Sequence, residues 1–401
     1  MNSSRLFAAS RIALIVTALS FALRGAALDA WQTQFGLTHE QVGTISGTAF
    51  WGFTIVMVIG GPLCDVLGLG KFIVLSFIGH LAAILLTITA HGYWQLYIAT
   101  LCFGLANGSV EAACNPLITT LYPTDKTTKL NQFHVWYPGG TVIGGLWAYF
   151  AAKIGLDWRV QFAGMLIPLA IYGVMFWKQG FPKTERVQKN ISTGQMWAAC
   201  FKPGFLVMVI CMLFTASTEF GPNTWIPDIL AHAGVNGILV LVWITGLMAL
   251  GRQCAGALVH RMPASGVLVC SAILSAVGLY AMSLSSSGFL LFASATIFAA
   301  GVCFFWPTML GRVSERYPAT GALGLAIMGG AGMLAPSVVL PKMGSIYDAK
   351  VQAGLSSVDA GLLTLRQIVV LPAILAVVFL VMLMLERKKS AGGSAAAEQH
   401  V

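Results

Sequence analysis

KQGFPKTERVQKNISTGQ, Lys178–Gln195, is a long, polar and basic stretch in the middle of an otherwise apolar chain. Six apolar segments precede it and six follow. A hydrocarbon core about 30 Å thick takes roughly 20 apolar residues per helix. Charges and turn formers cut the chain into spans near 8–36, 42–63, 71–90, 93–122, 130–152, 158–178, 203–232, 236–260, 264–284, 287–316, 320–346 and 360–385. Period-two alternation is absent, which excludes a barrel and leaves helices to satisfy the backbone in lipid. The fold class is therefore an all-α membrane protein. Its expected parts are an N-terminal six-helix half (1–178), a linker (179–202), a C-terminal six-helix half (203–388) and a disordered tail (389–401).

Composition agrees with a bilayer environment. The 401 residues are 57% hydrophobic and 9% charged, with a mean hydropathy of +0.81, whereas a soluble domain carries about 25% charged residues. Most Lys and Arg fall in alternate loops together with Arg5, Lys71 and Arg387, so the positive-inside rule puts both termini in the cytoplasm. The net charge of +9 then reflects topology and contact with anionic lipid, not nucleic acid. The first span lacks a cleavage signature and reads as retained. The eight cysteines show no C-x-x-C or metal-ligand spacing, so neither a metal nor a cofactor is expected.

The halves repeat. An offset of 195 lays Tyr122-Pro123 on Tyr317-Pro318, Gly61 on Gly256 and Val74, Ser76 and Ile78 on Val269, Ser271 and Ile273. Duplicated halves place a substrate site at their interface near the bilayer midplane. Between the second and third spans, GGPLCDVLGLGK, residues 60–71, supplies Gly61 and Gly68 for close approach and Asp65 and Lys71 for a charge–dipole clasp. This loop resembles the gating motif of the major facilitator superfamily, which implies twelve helices and alternating access; Leu69-Gly70 replaces the paired basic residues of that pattern.

The run GLANGSVEAACNPLITTLYP, residues 104–123, holds one acid, Glu111, among small and apolar neighbours. A charge at the bilayer centre costs about 2.5–3.5 kcal/mol on insertion scales, so it faces a cavity, has a partner or carries protons. Asn107 and Asn115 lie one turn either side of Glu111, and KLNQFHVWYPGG adds Asn131, Gln132, His134, Trp136 and Tyr137. Amides and aromatic faces suit a polyhydroxylated ligand.

E-A-A-C-N-P followed by K-L-N-Q-F resembles the signature of the fucose:proton symporter family, although Gln132 directly follows Asn131 here. GRQCAGALVHR (251–261) and FFWPTMLGRV (304–313) resemble that family's eighth and tenth helices. The resemblance implies proton coupling and sugar binding by Glu111 and by Asp29 of the first span.

Two further charges, Arg24 and Glu219, sit 195 apart and are expected to face each other across the cavity, with Asn223, Trp225 and Trp306 nearby. They either neutralise each other or serve the substrate, Arg24 attracting an anion while Glu219 and Asn223 bind hydroxyls or exchange a proton. Arg252 reads as a structural residue near the cytoplasmic end of the eighth helix, contacting loop carbonyls or lipid phosphate.

The expected function is proton-coupled symport of a sugar or sugar derivative. The alternatives are symport of an organic anion or sugar acid, and uncoupled facilitation. The expected partners are a small substrate, the proton and membrane lipid, and the expected setting is a monomer in a bacterial inner membrane. The chain has no paired nucleophile and base, metal cluster or phosphate loop, which argues against an enzyme.

Overall fold

A computed structural model describes residues 2–37, 39–232, 237–259, 261–285 and 288–398. The first half comprises α1 (Ser3–Phe35), α2 (His39–Leu67), α3 (Leu69–Ile88), α4 (Tyr93–Leu121), α5 (Lys126–His134), α6 (Trp136–Lys153), α7 (Trp158–Ala163) and α8 (Leu166–Phe176). Two linker helices follow, α9 (Glu185–Gln188) and α10 (Thr193–Cys200). Next come α11 (Pro203–His232), α12 (Gly237–Gln253), α13 (Ala255–Val259), α14 (Ala264–Met282), α15 (Gly288–Val302), α16 (Phe305–Arg316), α17 (Gly321–Gln352), α18 (Ser357–Ile368) and α19 (Val370–Glu398). The backbone of α19 is thus helical as far as Glu398, inside the segment read as a disordered tail.

Among the described residues, ten helical stretches are long and apolar enough to cross a membrane. The fifth and eighth expected spans are not among the ten: α5–α6 breaks at Val135, and α12 gives way to α13 at Cys254. Proline explains most of the breaks. Helices α6, α8, α16 and α19 each restart two residues before a proline, at Pro138, Pro168, Pro307 and Pro372. A proline has no N–H to offer the carbonyl four residues earlier, and its ring crowds that carbonyl.

Close helix packing fixes the depth of the acid. A β-carbon at Gly104 would collide with the Ala49 carbonyl, and one at Gly108 would lie 2.7 Å from that of Phe53. These glycines let α4 touch the backbone of α2, which holds Glu111, one turn further on, at fixed height.

The halves meet at the end of the bundle that carries the linker. There the Thr127 hydroxyl bonds Glu315 at 2.6 Å, Lys126 Nζ reaches the Ser314 carbonyl at 3.5 Å, and Asn131 Nδ2 lies 3.4 Å from the Thr308 hydroxyl. Gly311 packs directly on Thr127. The linker itself is tied in, because the Thr184 hydroxyl donates to Asp65 and Lys126 pairs with Glu185 at 2.6 Å. Lys71 is exposed, and Asp65 accepts from the linker's Thr184.

Glu185 also lies 2.6 Å from Lys189. Partial burial pushes its carboxyl up, but the two ammonium groups outweigh that and hold it below the ordinary glutamate value. A depressed folded-state value gives stability that is present above the unfolded glutamate range, near 4.3, and lost as pH falls through the folded value. Partly exposed pairs contribute modestly. The wild type is therefore expected to melt about 1 °C above Glu185→Gln at pH 7, with the difference vanishing near pH 3. A difference that is constant with pH would remove the linker pair from this account.

Candidate functional site

A small cavity lies between the halves, lined by Glu111, His134, Tyr137, Glu219, Phe220, Arg252, Trp306 and Met333. Glu111 comes from α4, His134 and Tyr137 from the break between α5 and α6, Glu219 and Phe220 from α11, Arg252 from α12, Trp306 from α16 and Met333 from α17. Five of the candidates read from the sequence, Glu111, His134, Tyr137, Glu219 and Trp306, converge here.

Glu111 is buried, and its Oε2 accepts a hydrogen bond from Asn115 Nδ2 at 3.0 Å. The same amide's Oδ1 faces His134 Nε2 at 3.2 Å. Because the amide nitrogen is engaged by Glu111, the oxygen is the acceptor and His134 carries its proton on Nε2. Asn115 thus orients the acid from behind. Trp306 lies near Glu111, short of a closed hydrogen bond, and packs edge-on against Phe220 with ring centroids 6.1 Å apart. Gly332 makes room for that indole, since a β-carbon there would collide with it.

Among the described residues Glu219 makes no ion pair with Arg24. Its partner is Arg252, with Nη2 3.6 Å from Glu219 Oε1, an ion-pair distance too long for a hydrogen bond. Arg252 is therefore a site residue that the sequence reading put at a helix end. It does sit at the end of α12, but that helix stops inside the bundle, and the side chain is 2% exposed. The carbonyls it contacts, those of Cys303 and His134, are at helix breaks and not in loops.

Arg24 has a different setting. Its guanidinium lies 4.6 Å from the Phe21 ring centroid and 5.7 Å from that of Phe50, and among the described residues no carboxylate pairs with it. Phe21 in turn meets the Tyr137 ring at 6.1 Å, which links Arg24 to the cavity wall.

Other expected ligands are placed elsewhere. Asn107 is fully buried inside the first half: Nδ2 donates to the Ser20 hydroxyl at 2.9 Å, and Oδ1 faces His80 Nε2 at 2.8 Å. The opposite ring nitrogen of His80 faces the Tyr172 hydroxyl at 3.1 Å, so the amide of Asn107 is consumed in packing. Asn131 Nδ2 bonds the Thr127 carbonyl and leans on Thr308, while Gln132 accepts from Lys129 at 3.2 Å towards the linker end. Trp136 is half-buried outside the cavity lining, and Asn223 is half-buried one turn beyond Glu219. The side chains of Asp29 and Trp225, and Gly61, lie outside the described residues. Gly68 caps α3 with φ +87°, a conformation that favours glycine.

Residues 12–266 match the family model of the Major Facilitator Superfamily. The chain belongs to that superfamily. It is an integral membrane protein of a superfamily of transporters, which are not enzymes. The fold of this facilitator is that of a proton:xylose symporter, with a TM-score of 0.78 at 15% identity over 94% of each chain. It is likewise that of the Escherichia coli fucose:proton symporter, with a TM-score of 0.73 at 15% identity over 93% of this chain and 98% of that one.

The sequence relatives carry other names. The chain is 26% identical to a hexuronate transporter of Bacillus subtilis over 55% of its length and 56% of that protein's. It is 22% identical to a cis,cis-muconate transport protein of Acinetobacter baylyi over 63% and 65%, and 25% identical to a gallate transporter of Pseudomonas putida over 85% and 83%. The first two matches thus span less than two thirds of those relatives.

Proposed function

We propose that this facilitator is a proton-coupled symporter of a small organic carboxylate, working by rocking of its two halves about the central cavity. The observation that carries the reading is Arg24: a buried guanidinium, set on two phenyl rings beside Tyr137, with no carboxylate partner among the described residues. A cation taken out of water without an anion is costly, and an arriving carboxylate supplies one. Glu111 is the proton carrier of this scheme. A proton on it neutralises the second uncompensated charge of the cavity while Glu219 and Arg252 balance each other.

The printed names of the relatives, all carboxylate transporters, favour the anion reading over the neutral-sugar one, and a hexuronate joins the two chemistries in one ligand. In this reading the linker end faces the cytoplasm of a bacterial inner membrane, where the basic loops lie.

The test is proteoliposomes carrying pyranine inside. Adding a hexuronate or a hydroxybenzoate outside is expected to acidify the lumen faster than in protein-free vesicles, and more so at acidic external pH. Acidification by neutral hexoses alone would return the protein to the sugar reading, and substrate entry without any lumenal pH change would make it an uncoupled facilitator.

A further inference from the structure

We propose that Arg252 is a positioning residue of the transport cycle, a clamp that joins the two halves by capping two carbonyls stranded by prolines. Pro138 deprives the His134 carbonyl of its helical partner, and Pro307 does the same to the Cys303 carbonyl. Arg252 takes both: Nη1 donates to His134 O at 3.0 Å and Nε to Cys303 O at 2.6 Å. His134 belongs to the first half and Cys303 to the second, so one planar guanidinium spans the boundary. Glu219 holds its third corner at 3.6 Å.

The fork geometry of arginine is what this job needs, because a lysine ammonium cannot reach three acceptors arranged in a plane. Opening the linker end must separate the α5–α6 break from the α15–α16 break. That movement breaks the bond to His134 and strands a carbonyl and an N–H in a low-dielectric interior. The bond therefore biases the halves towards closure at this end. His134 is also the connection to the acid. Its backbone bonds the clamp, while its ring reaches Glu111 through Asn115. A change at Glu111 is thus one residue removed from the bond that closes the transporter. The inference rests on the rocking of the halves proposed above and not on the identity of the substrate.

The bland account is that Arg252 only neutralises Glu219, and the test separates the two. Spin labels are placed at Thr124→Cys and Arg261→Cys, exposed positions at the linker end of either half, with the exposed Cys254 and Cys270 changed to serine. Pulsed EPR distances are then read on the full chain in nanodiscs without substrate. Arg252→Lys keeps the charge and is expected to raise the ratio of long to short distances about tenfold, or about 1.4 kcal/mol. Pro138→Ala restores an N–H for His134, leaves Arg252 intact and is expected to move the ratio the same way; it carries the test alone if Arg252→Lys does not fold. Glu219→Gln should stay closed. A parental distribution in Arg252→Lys, or its recovery in Glu219→Gln/Arg252→Gln when Arg252→Gln alone is open, overturns the clamp in favour of simple neutralisation.

Discussion

Glu111→Gln abolishes accumulation against a gradient while leaving exchange of substrate across the membrane within about tenfold of wild type. Glutamine keeps the shape of the side chain and an oxygen that accepts the bond from Asn115 Nδ2, so the chain from Glu111 to Asn115 to His134 can persist. What it removes is the ability to take up and release a proton. A pH step of one unit supports about tenfold accumulation per coupled proton, since each unit is worth about 1.36 kcal/mol. The wild type should approach that ratio with inside-alkaline vesicles, and the variant should stop at equal concentrations. Substrate counterflow, which needs no net proton movement, should continue. A variant that still concentrates substrate would take the coupling role from Glu111 and give it to Asp29 or Glu219.

The helices were largely legible because length and apolarity decide them. Among the described residues every expected span is built of helix, with breaks in the fifth, sixth, eighth, tenth and twelfth, and the small face of Gly104 and Gly108 does pack against the backbone of α2. Glu111 was legible for a similar reason: an acid in an apolar run has few explanations. Depth and rotation were not. Asn107 and Asn115 flank Glu111 at equal spacing, yet one is spent on Ser20 and His80 and the other supports the acid. Spacing along one helix does not say which neighbouring helix a side chain meets.

The 195-residue offset lays Arg24 of α1 on Glu219 of α11, but correspondence is not contact, and Glu219 pairs with Arg252. A signal for Arg252 was present in the sequence. Pro138 and Pro307 each leave a carbonyl without its helical donor, and a span interrupted by such carbonyls needs a cation or water to satisfy them. The polarity of LGRQ drew the arginine to the membrane surface, where an unbroken helix would have put it.

The two arginines make opposite predictions when their charge is removed, and this decides what kind of cavity it is. Arg24→Gln is expected to raise the KM for a carboxylate substrate about 30- to 150-fold, the loss of about 2–3 kcal/mol from a charge-assisted hydrogen bond. Arg24→Lys should recover part of this, keeping the charge but losing the flat seat over Phe21 and Phe50. The protein itself should not suffer. With no carboxylate paired to Arg24, its removal orphans no opposite charge, so the melting temperature of Arg24→Gln is expected to equal or exceed that of wild type. Arg252→Gln leaves Glu219 buried without its cation and two carbonyls uncapped, and should melt lower. Radiolabelled uptake and thermal melts on the same preparations give both readouts. If Arg24→Gln transports acids with an unchanged KM, the carboxylate is recognised elsewhere and the anion reading loses its foundation. If it instead melts several degrees lower, Arg24 is part of the scaffold, and its isolation from acids is met by the aromatic rings alone.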